Sequence, residues 1–384
     1  MATPADDRFR RWQQQRAQRL AALPWLHTDT TRGAAVRFVK DELIVAADHE
    51  HAARALLRRH GVPADRILPA PAIPGFVRLL APGADVAALA RRLCDDTGEH
   101  AATPNHVFVS TGEGFEMGGP YGPPVAASAY PLPGGPSDSA SLSVAVVDTG
   151  VWKDSPLPPA WYRARPCDYS ESTDEHHDTG HANFITGVIM SKTGNASVSI
   201  VKVLSDDGVC TETELASALL ALPPVDVLNL SLGGFTDDDR PPLTLTAALT
   251  TVLRDHDRAV VAAAGNDGVS TRPHWPAAYA SADLPFADQV IAVAAHDGAQ
   301  ICEWSNTGPW VTMAAPGNNI TSTFVHRTGF PTGFAQWSGT SFAAPYVVGS
   351  IAEAHSRGST VTDAVAIIRK LASEASYGGY PGLG

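Results

Sequence analysis

Ser143–Val151 reads SVAVVDTGV. Val144–Val147 is an unbroken apolar run, the pattern of a strand buried on both faces of a parallel sheet. It stops at Asp148, and Thr149 and Gly150 turn the chain away. An aspartate at that point has two readings. It serves loops and turns well, because its side chain bonds to nearby backbone. It also stands where open α/β sheets keep their chemistry, at the carboxyl ends of the strands. The choice depends on what else the chain brings to that edge.

Working outward, VSIVKVL, DVLNLSLGG, RAVVAAAGN, VIAVAAH and VTMAAPG repeat the buried-strand pattern. They are separated by the helical stretches HANFITGVIMS, ETELASALLAL, LTAALTTVLRDH and SGTSFAAPYVVGSIAEAHS. Strand–helix alternation of this kind predicts an α/β fold, a doubly wound parallel sheet with helices on both faces. Three further polar residues fall at element edges. His181 stands where a Gly-marked turn enters an apolar helix, Asn266 follows a buried strand, and Ser341 opens a helix of small residues. Each has an ordinary explanation by itself: a surface histidine, an Asx turn, an N-cap serine. Together they form an ordered set, Asp–His–Asn–Ser, with each member in its own motif.

These motifs resemble those of the subtilisin-like serine proteases, the subtilases, whose triad runs Asp, His, Ser along the chain. VAVVDTGV is similar to the family's aspartate motif and GHANFITG to its histidine motif. AAAGNDG resembles the asparagine motif, and GTSFAAPYVVG the serine motif. The resemblance covers about Val144 to His355. It implies a serine endopeptidase with Asp148, His181 and Ser341 as triad and Asn266 in the oxyanion hole. It also implies a substrate cleft lined by Ser231, Leu232, Gly233 and Gly234 of LNLSLGG, by Ala264 and Gly265, and by His274 at the floor of the pocket for the residue before the cut. The chemistry needs these types. A serine hydroxyl is a poor nucleophile until a histidine takes its proton, the aspartate holds the imidazole tautomer, and an amide N–H meets the developing oxyanion. An α/β-hydrolase would need G-x-S-x-G and a different chain order; Ser341 lies in G-T-S-F-A.

Departures are visible too. HANFITG stands where the family usually reads HGTHVAG, so Ala182, Asn183 and Phe184 surround the base differently. A catalytically weak or inactive binding or scaffold protein on the same fold is the alternative this leaves open. SKTGNAS is too brief for the calcium loop of many relatives, so no metal or other cofactor is expected; structural calcium is not indicated.

Before Ser143 the rhythm differs. Residues 1–35 form an extension with a helix near Phe9–Leu23. Residues 36–110 run β-α-β-β-α-β, a small α+β ferredoxin-like unit. It has one helix face formed by Ala53, Leu56, Leu57 and His60, and a second helix between Asp85 and Gly98. The unit resembles the family's propeptide, which implies an intramolecular inhibitory domain and a zymogen. Residues 111–142 read as a Gly/Pro-rich linker, and 143–384 as the catalytic domain that the resemblance implies.

Charge is uneven. Residues 1–142 carry 15 Lys/Arg and 15 Asp/Glu, whereas 143–384 carry 13 and 25, the whole net charge of −12. An acidic domain argues against nucleic acid as partner. The resemblance implies a protein or peptide substrate, and it places the acidic clusters around Asp168–Asp178, Asp206–Glu214 and Asp237–Asp239 beside the cleft, so a basic residue two or four positions before the cut is the expected preference. No apolar run reaches 18 residues, so no membrane helix is expected. The N-terminus as written has no apolar signal core, so a cytoplasmic location is expected; a misassigned start or non-standard export would make it secreted. Cys94, Cys167, Cys210 and Cys302 lack zinc spacing. They leave room for one bridge, Cys167–Cys210.

Overall fold

A computed structural model describes residues 4–110, 123–132, 135–136, 142–162, 166–170, 178–355 and 358–384. Its centre is a six-stranded sheet. In spatial order the strands are Met313–Pro316, Val290–His296, Ala259–Ala263, Val227–Leu230, Leu142–Asp148 and Ala196–Lys202, and every neighbouring pair is parallel. Side chains alternate across a strand, so the Leu142–Asp148 strand feeds two cores. Val144 and Val146 join Phe184, Ile185 and Val347 on one face. Ala145 and Val147 join Leu215, Leu219, Leu245 and Leu249 on the other. The helices His181–Lys192 and Thr340–Ala354 cover the first face, and Glu212–Ala221 and Leu243–Leu253 the second. This is the doubly wound α/β sheet that the strand pattern predicts.

Residues 36–110 build an antiparallel sheet in the order Ala102–Ser110, Val36–Ala46, Phe76–Leu80, Leu68–Ala70. The helices Glu50–Arg59 and Val86–Thr97 pack on it through Leu56, Leu57, Leu89 and Leu93 against Leu43, Val45 and Leu79. Asp85 caps the second helix by accepting from Ala88 N–H, and Gly98 ends it in the left-handed region. The helical face differs at one residue. His60 lies past the end of the first helix and is exposed, because the chain turns at Gly61 with φ of 86°. The extension contributes more than a helix at Pro4–Ala22, since Leu26–Asp29 pairs with the Val36–Ala46 strand.

Two boundaries shift. Of the stretch read as linker, Val125–Ala126 pairs with Ala335–Gln336 as an edge strand; residues 111–122, 133–134 and 137–141 lie outside the described residues. The strand read as HVFVS begins earlier, at Ala102, and runs out of its own unit. It pairs antiparallel with Val209–Thr211 on one side and Leu232–Gly233 on the other. All four cysteines are free thiols, so the Cys167–Cys210 bridge does not form.

The uneven charge has a structural counterpart. Arg91 bonds Asp237 at 2.8 Å, Arg32 pairs with Asp239, and His100 faces Asp238 at 3.7 Å. The acidic loop after SLGG therefore meets basic side chains of the N-terminal segment.

Candidate active site

Asp148 is the last residue of its strand and is fully buried. Its backbone carbonyl accepts from Val203 and Leu204 N–H, and its Oδ1 accepts from Thr149 N–H at 2.8 Å. That grip sets the carboxylate plane. Both carboxylate oxygens lie 2.9 Å from His181 Nδ1.

His181 opens its helix directly after Gly180, whose φ is 93°. A Cβ on Gly180 would stand 2.6 Å from Val325 Cγ1, so only glycine permits this entry. The imidazole is walled by Trp337 and Phe342, each with its ring centroid 5.5 Å away. Nε2 is buried and makes no hydrogen bond among the described residues. With Nδ1 committed to Asp148, Nε2 is the nitrogen available to take a proton.

Ser341 is the second residue of the helix Thr340–Ala354 and is buried. Its carbonyl accepts from Ser231 Oγ at 2.8 Å, and its own Oγ reaches Ser231 O at 3.5 Å, at the weak limit of a hydrogen bond. Asn266 is fixed by its neighbour in the serine motif: its Oδ1 accepts from both Thr340 N–H and Thr340 Oγ1–H at 2.9 Å. The amide oxygen is thereby committed and Nδ2 is left as the outward donor, 3.6 Å from where a Gly339 Cβ would stand. Thr340 Oγ1 also accepts from Gly265 N–H at 3.1 Å. Thr340 is a positioning residue that sequence reasoning passed over; its signal was its place in GTS.

The residues expected to line the cleft fall into two walls. Ser231–Gly234 forms one and Ala264–Gly265 the other, with His274 wedged between them. A Cβ on Gly233 would lie 2.3 Å from His274 Cε1, and one on Gly265 would lie 2.9 Å from its Nε2. Burial pushes the His274 pKa down to about 3, so the ring is neutral at working pH. The groove between Leu232–Gly233 and Val209–Thr211 is filled by the chain's own strand. Ser110 stands opposite Leu232, Val109 opposite Gly233, and Phe108 opposite Cys210.

The altered histidine motif has its own structural work. Asn183 Oδ1 accepts from Trp152 N–H and its Nδ2 donates to Trp152 O, which ties the histidine helix to the loop after Asp148. Phe184 packs 4.3 Å from Phe342 and 5.9 Å from Trp337, ring to ring. The substituted residues thus brace the imidazole's surroundings. Among the described residues no group of three His, Cys, Asp or Glu side chains is arranged to hold a metal.

A family model described as the Subtilase family, of the Peptidase_S8 type, matches residues 139–378. The chain is 30% identical over 292 residues to a thermophilic serine proteinase of Bacillus sp. (strain AK1), across 71% of this chain and 67% of that protein. It is 30% identical over 260 residues to thermitase of Thermoactinomyces vulgaris, across 62% of this chain and 84% of that one. Its fold is similar to that of fervidolysin from Fervidobacterium pennivorans, with a TM-score of 0.62 at 17% identity, over 95% of this chain and 64% of that one. That likeness takes in the N-terminal unit as well as the parallel sheet. With its family match spanning more than half the chain, the protein belongs to the subtilase family of serine endopeptidases.

Proposed function

We propose that the chain hydrolyses peptide bonds through Asp148, His181 and Ser341, and that residues before the parallel sheet hold it as an autoinhibited precursor. The observation that carries the catalytic part is the His181 imidazole, bound by both Asp148 oxygens at Nδ1 with Nε2 uncommitted. Nε2 takes the Ser341 hydroxyl proton as Oγ attacks the peptide carbonyl, forming the C–O bond of a tetrahedral intermediate. The Asn266 Nδ2 donor meets the resulting oxyanion. His181 then returns the proton to the leaving amine as the C–N bond breaks. Water, deprotonated in turn by His181, hydrolyses the acyl-enzyme. Asp148 stays ionised and stabilises the imidazolium. The substrate is a protein or peptide bound as an added antiparallel strand, a mode in which main-chain hydrogen bonds give affinity.

The autoinhibitory part is supported by occupancy. The strand Ala102–Ser110 lies in the groove where such a substrate would lie, and Ser110 N–H donates to Gly208 O at 2.8 Å. Polar contacts reinforce it: His106 is buried between Glu212 and Asp237, and Asn105 Nδ2 bonds Thr213 Oγ1 at 3.2 Å. The altered histidine motif is compatible with an active enzyme: Asn183 ties the histidine helix to Trp152, and Phe184 packs on Trp337 and Phe342, the rings beside the imidazole.

The test is purification of the wild-type chain and Ser341→Ala side by side, followed by intact mass, N-terminal sequencing and labelling with a fluorophosphonate. Wild type should be cut beyond Ser110, within residues 111–141, and labelled at Ser341, while Ser341→Ala stays whole and unlabelled. Peptidase activity at the wild-type level in Ser341→Ala would refute the catalytic assignment. An active wild type that is never cut would refute the precursor reading.

A further inference from the structure

Asp178 lies three residues before His181, and its carbonyl accepts from His181 N–H at 3.0 Å. Its side chain is 1% exposed. Among the described residues its carboxylate accepts from two groups, and both belong to the segment before the catalytic sheet. Arg16 Nη1 donates to Oδ2 at 2.6 Å, and Ser110 Oγ donates to Oδ1 at 3.1 Å. Arg16 Nη2 also donates to Ser110 Oγ at 3.3 Å, closing a three-membered cluster. A buried carboxylate requires a partner, and this one finds its cation on the distant helix Pro4–Ala22.

The position of the cluster is set by strand register. Ser110 is opposite Leu232, and Ser231, one residue earlier, is the residue whose carbonyl Ser341 Oγ reaches. A bound strand that offers its reacting carbonyl opposite Ser231 therefore has the Ser110 position second before the cut. The wall there is Gly208, where a Cβ would stand 2.8 Å from Ser110 Oγ and 2.9 Å from Asp178 Cγ. The Ser110 side chain at that position touches the carboxylate directly, Oγ to Oδ1 at 3.1 Å. The position fourth before the cut is different in kind. Phe108 occupies it, fully buried among apolar residues including Leu232 and Trp275.

We infer that Asp178 is a specificity-determining residue that selects arginine or lysine second before the cut, and that Arg16 is an internal stand-in for that substrate cation. This rests on the proposed protease activity of the same site. Once the N-terminal segment leaves, the carboxylate faces the cleft without its cation, and a cationic side chain carried by substrate reaches the place Arg16 held. The fourth position takes a large apolar side chain, so the cation preference expected at two or four positions before the cut narrows to the second.

The test has two arms. The first uses the full chain in the Ser341→Ala background, where nothing depends on proteolysis. Arg16→Ala should lower Tm by several degrees. Adding Ser110→Arg should restore most of the loss, whereas adding Ser110→Met should not. With Asp178→Asn the arginine should have no advantage over methionine. Equal behaviour of Ser110→Arg and Ser110→Met in the presence of Asp178 would overturn the proposal. The second arm measures kcat/KM of the self-processed enzyme on peptide pairs with arginine or norleucine second before the cut. The ratio should be at least tenfold and should fall to near one in Asp178→Asn; a purely structural role would lower both peptides alike. A flat ratio in an enzyme that cleaves both peptides refutes the specificity proposal and leaves the protease reading intact. If neither peptide nor any other is cleaved, the protease reading fails, and the first arm still decides what Asp178 selects.

Discussion

His106 sits on the strand that fills the cleft, fully buried, with Nδ1 3.4 Å from Glu212 and Nε2 3.2 Å from Asp237. Burial alone would lower its pKa. The hydrogen bonds and charges of Asp237 and Glu212 outweigh burial and raise it from 6.5 to about 9. The other titratable and charged groups around it are Arg91, which bonds Asp237, Arg240 beside Asp238, and His100, which also faces Asp238 and whose pKa burial lowers. At about 1.4 kcal/mol per pH unit, the rise corresponds to about 3 kcal/mol favouring the docked, protonated form. The sign follows from the direction of the shift. The contribution is fully present below a pH of about 6.5 and is lost as pH rises through about 9. The perturbation is His106→Gln in the Ser341→Ala background, and the assay is urea unfolding across that range. The two proteins should differ most at the acid end of that range, near pH 6.5, and the gap should narrow by about 3 kcal/mol at alkaline pH. A gap that stays constant, or widens with pH, would refute the argument that an ion-paired His106 holds the strand in place.

Three further outcomes are expected. Asn266→Ala should lower kcat on the order of 10²–10³ with KM little changed, because the oxyanion exists mainly after attack; a raised KM at full turnover would contradict it. Gly180→Ala forces a left-handed residue against Val325 and should cost about 1–3 kcal/mol while displacing His181, visible as lower Tm together with lower kcat/KM; unchanged activity would show that the helix entry does not set the imidazole. Thr340→Val keeps the volume but removes the hydroxyl that holds Asn266 and Gly265, so kcat should drop in parallel with Asn266→Ala, and the double variant should be little worse than Asn266→Ala alone.

Asp148, His181, Asn266 and Ser341 were legible in the sequence because each sits in a local motif at the edge of an element, and the period of the apolar residues locates those edges. The parallel sheet was legible for the same reason: Val144–Val147 and its counterparts are buried on both faces and carry no polar alternation. What lay beyond reach depends on pairing between distant segments. Arg16 and Asp178 are 162 residues apart, and nothing in the helix pattern of residues 4–22 singles out one arginine among several. The far end of the Ala102–Ser110 strand pairs with a two-residue strand, Leu232–Gly233, too short to carry any periodicity. Asn183 and Phe184 could be seen as departures from a motif, but their partners Trp152, Trp337 and Phe342 emerge only when the loops are folded together. His60 was misread because the helical period continues one residue beyond the point where Gly61 lets the chain turn.

The strand Ala102–Ser110 belongs to two sheets' worth of partners at once. Its first half is hydrogen-bonded to Val36–Ala46 and its last residues to Val209–Thr211 and Leu232–Gly233. Under the proposed processing, a cut beyond Ser110 breaks one covalent link and none of these ladders. Release then becomes a matter of mass action. Before the cut, the inhibitory segment re-enters the groove at the effective concentration set by its tether, in the millimolar range for short flexible linkers. After it, the segment returns only at its bulk concentration. The same cleaved molecule would be silent in a concentrated compartment and active on dilution, so cleavage sets the competence of the enzyme and dilution sets the moment at which it acts.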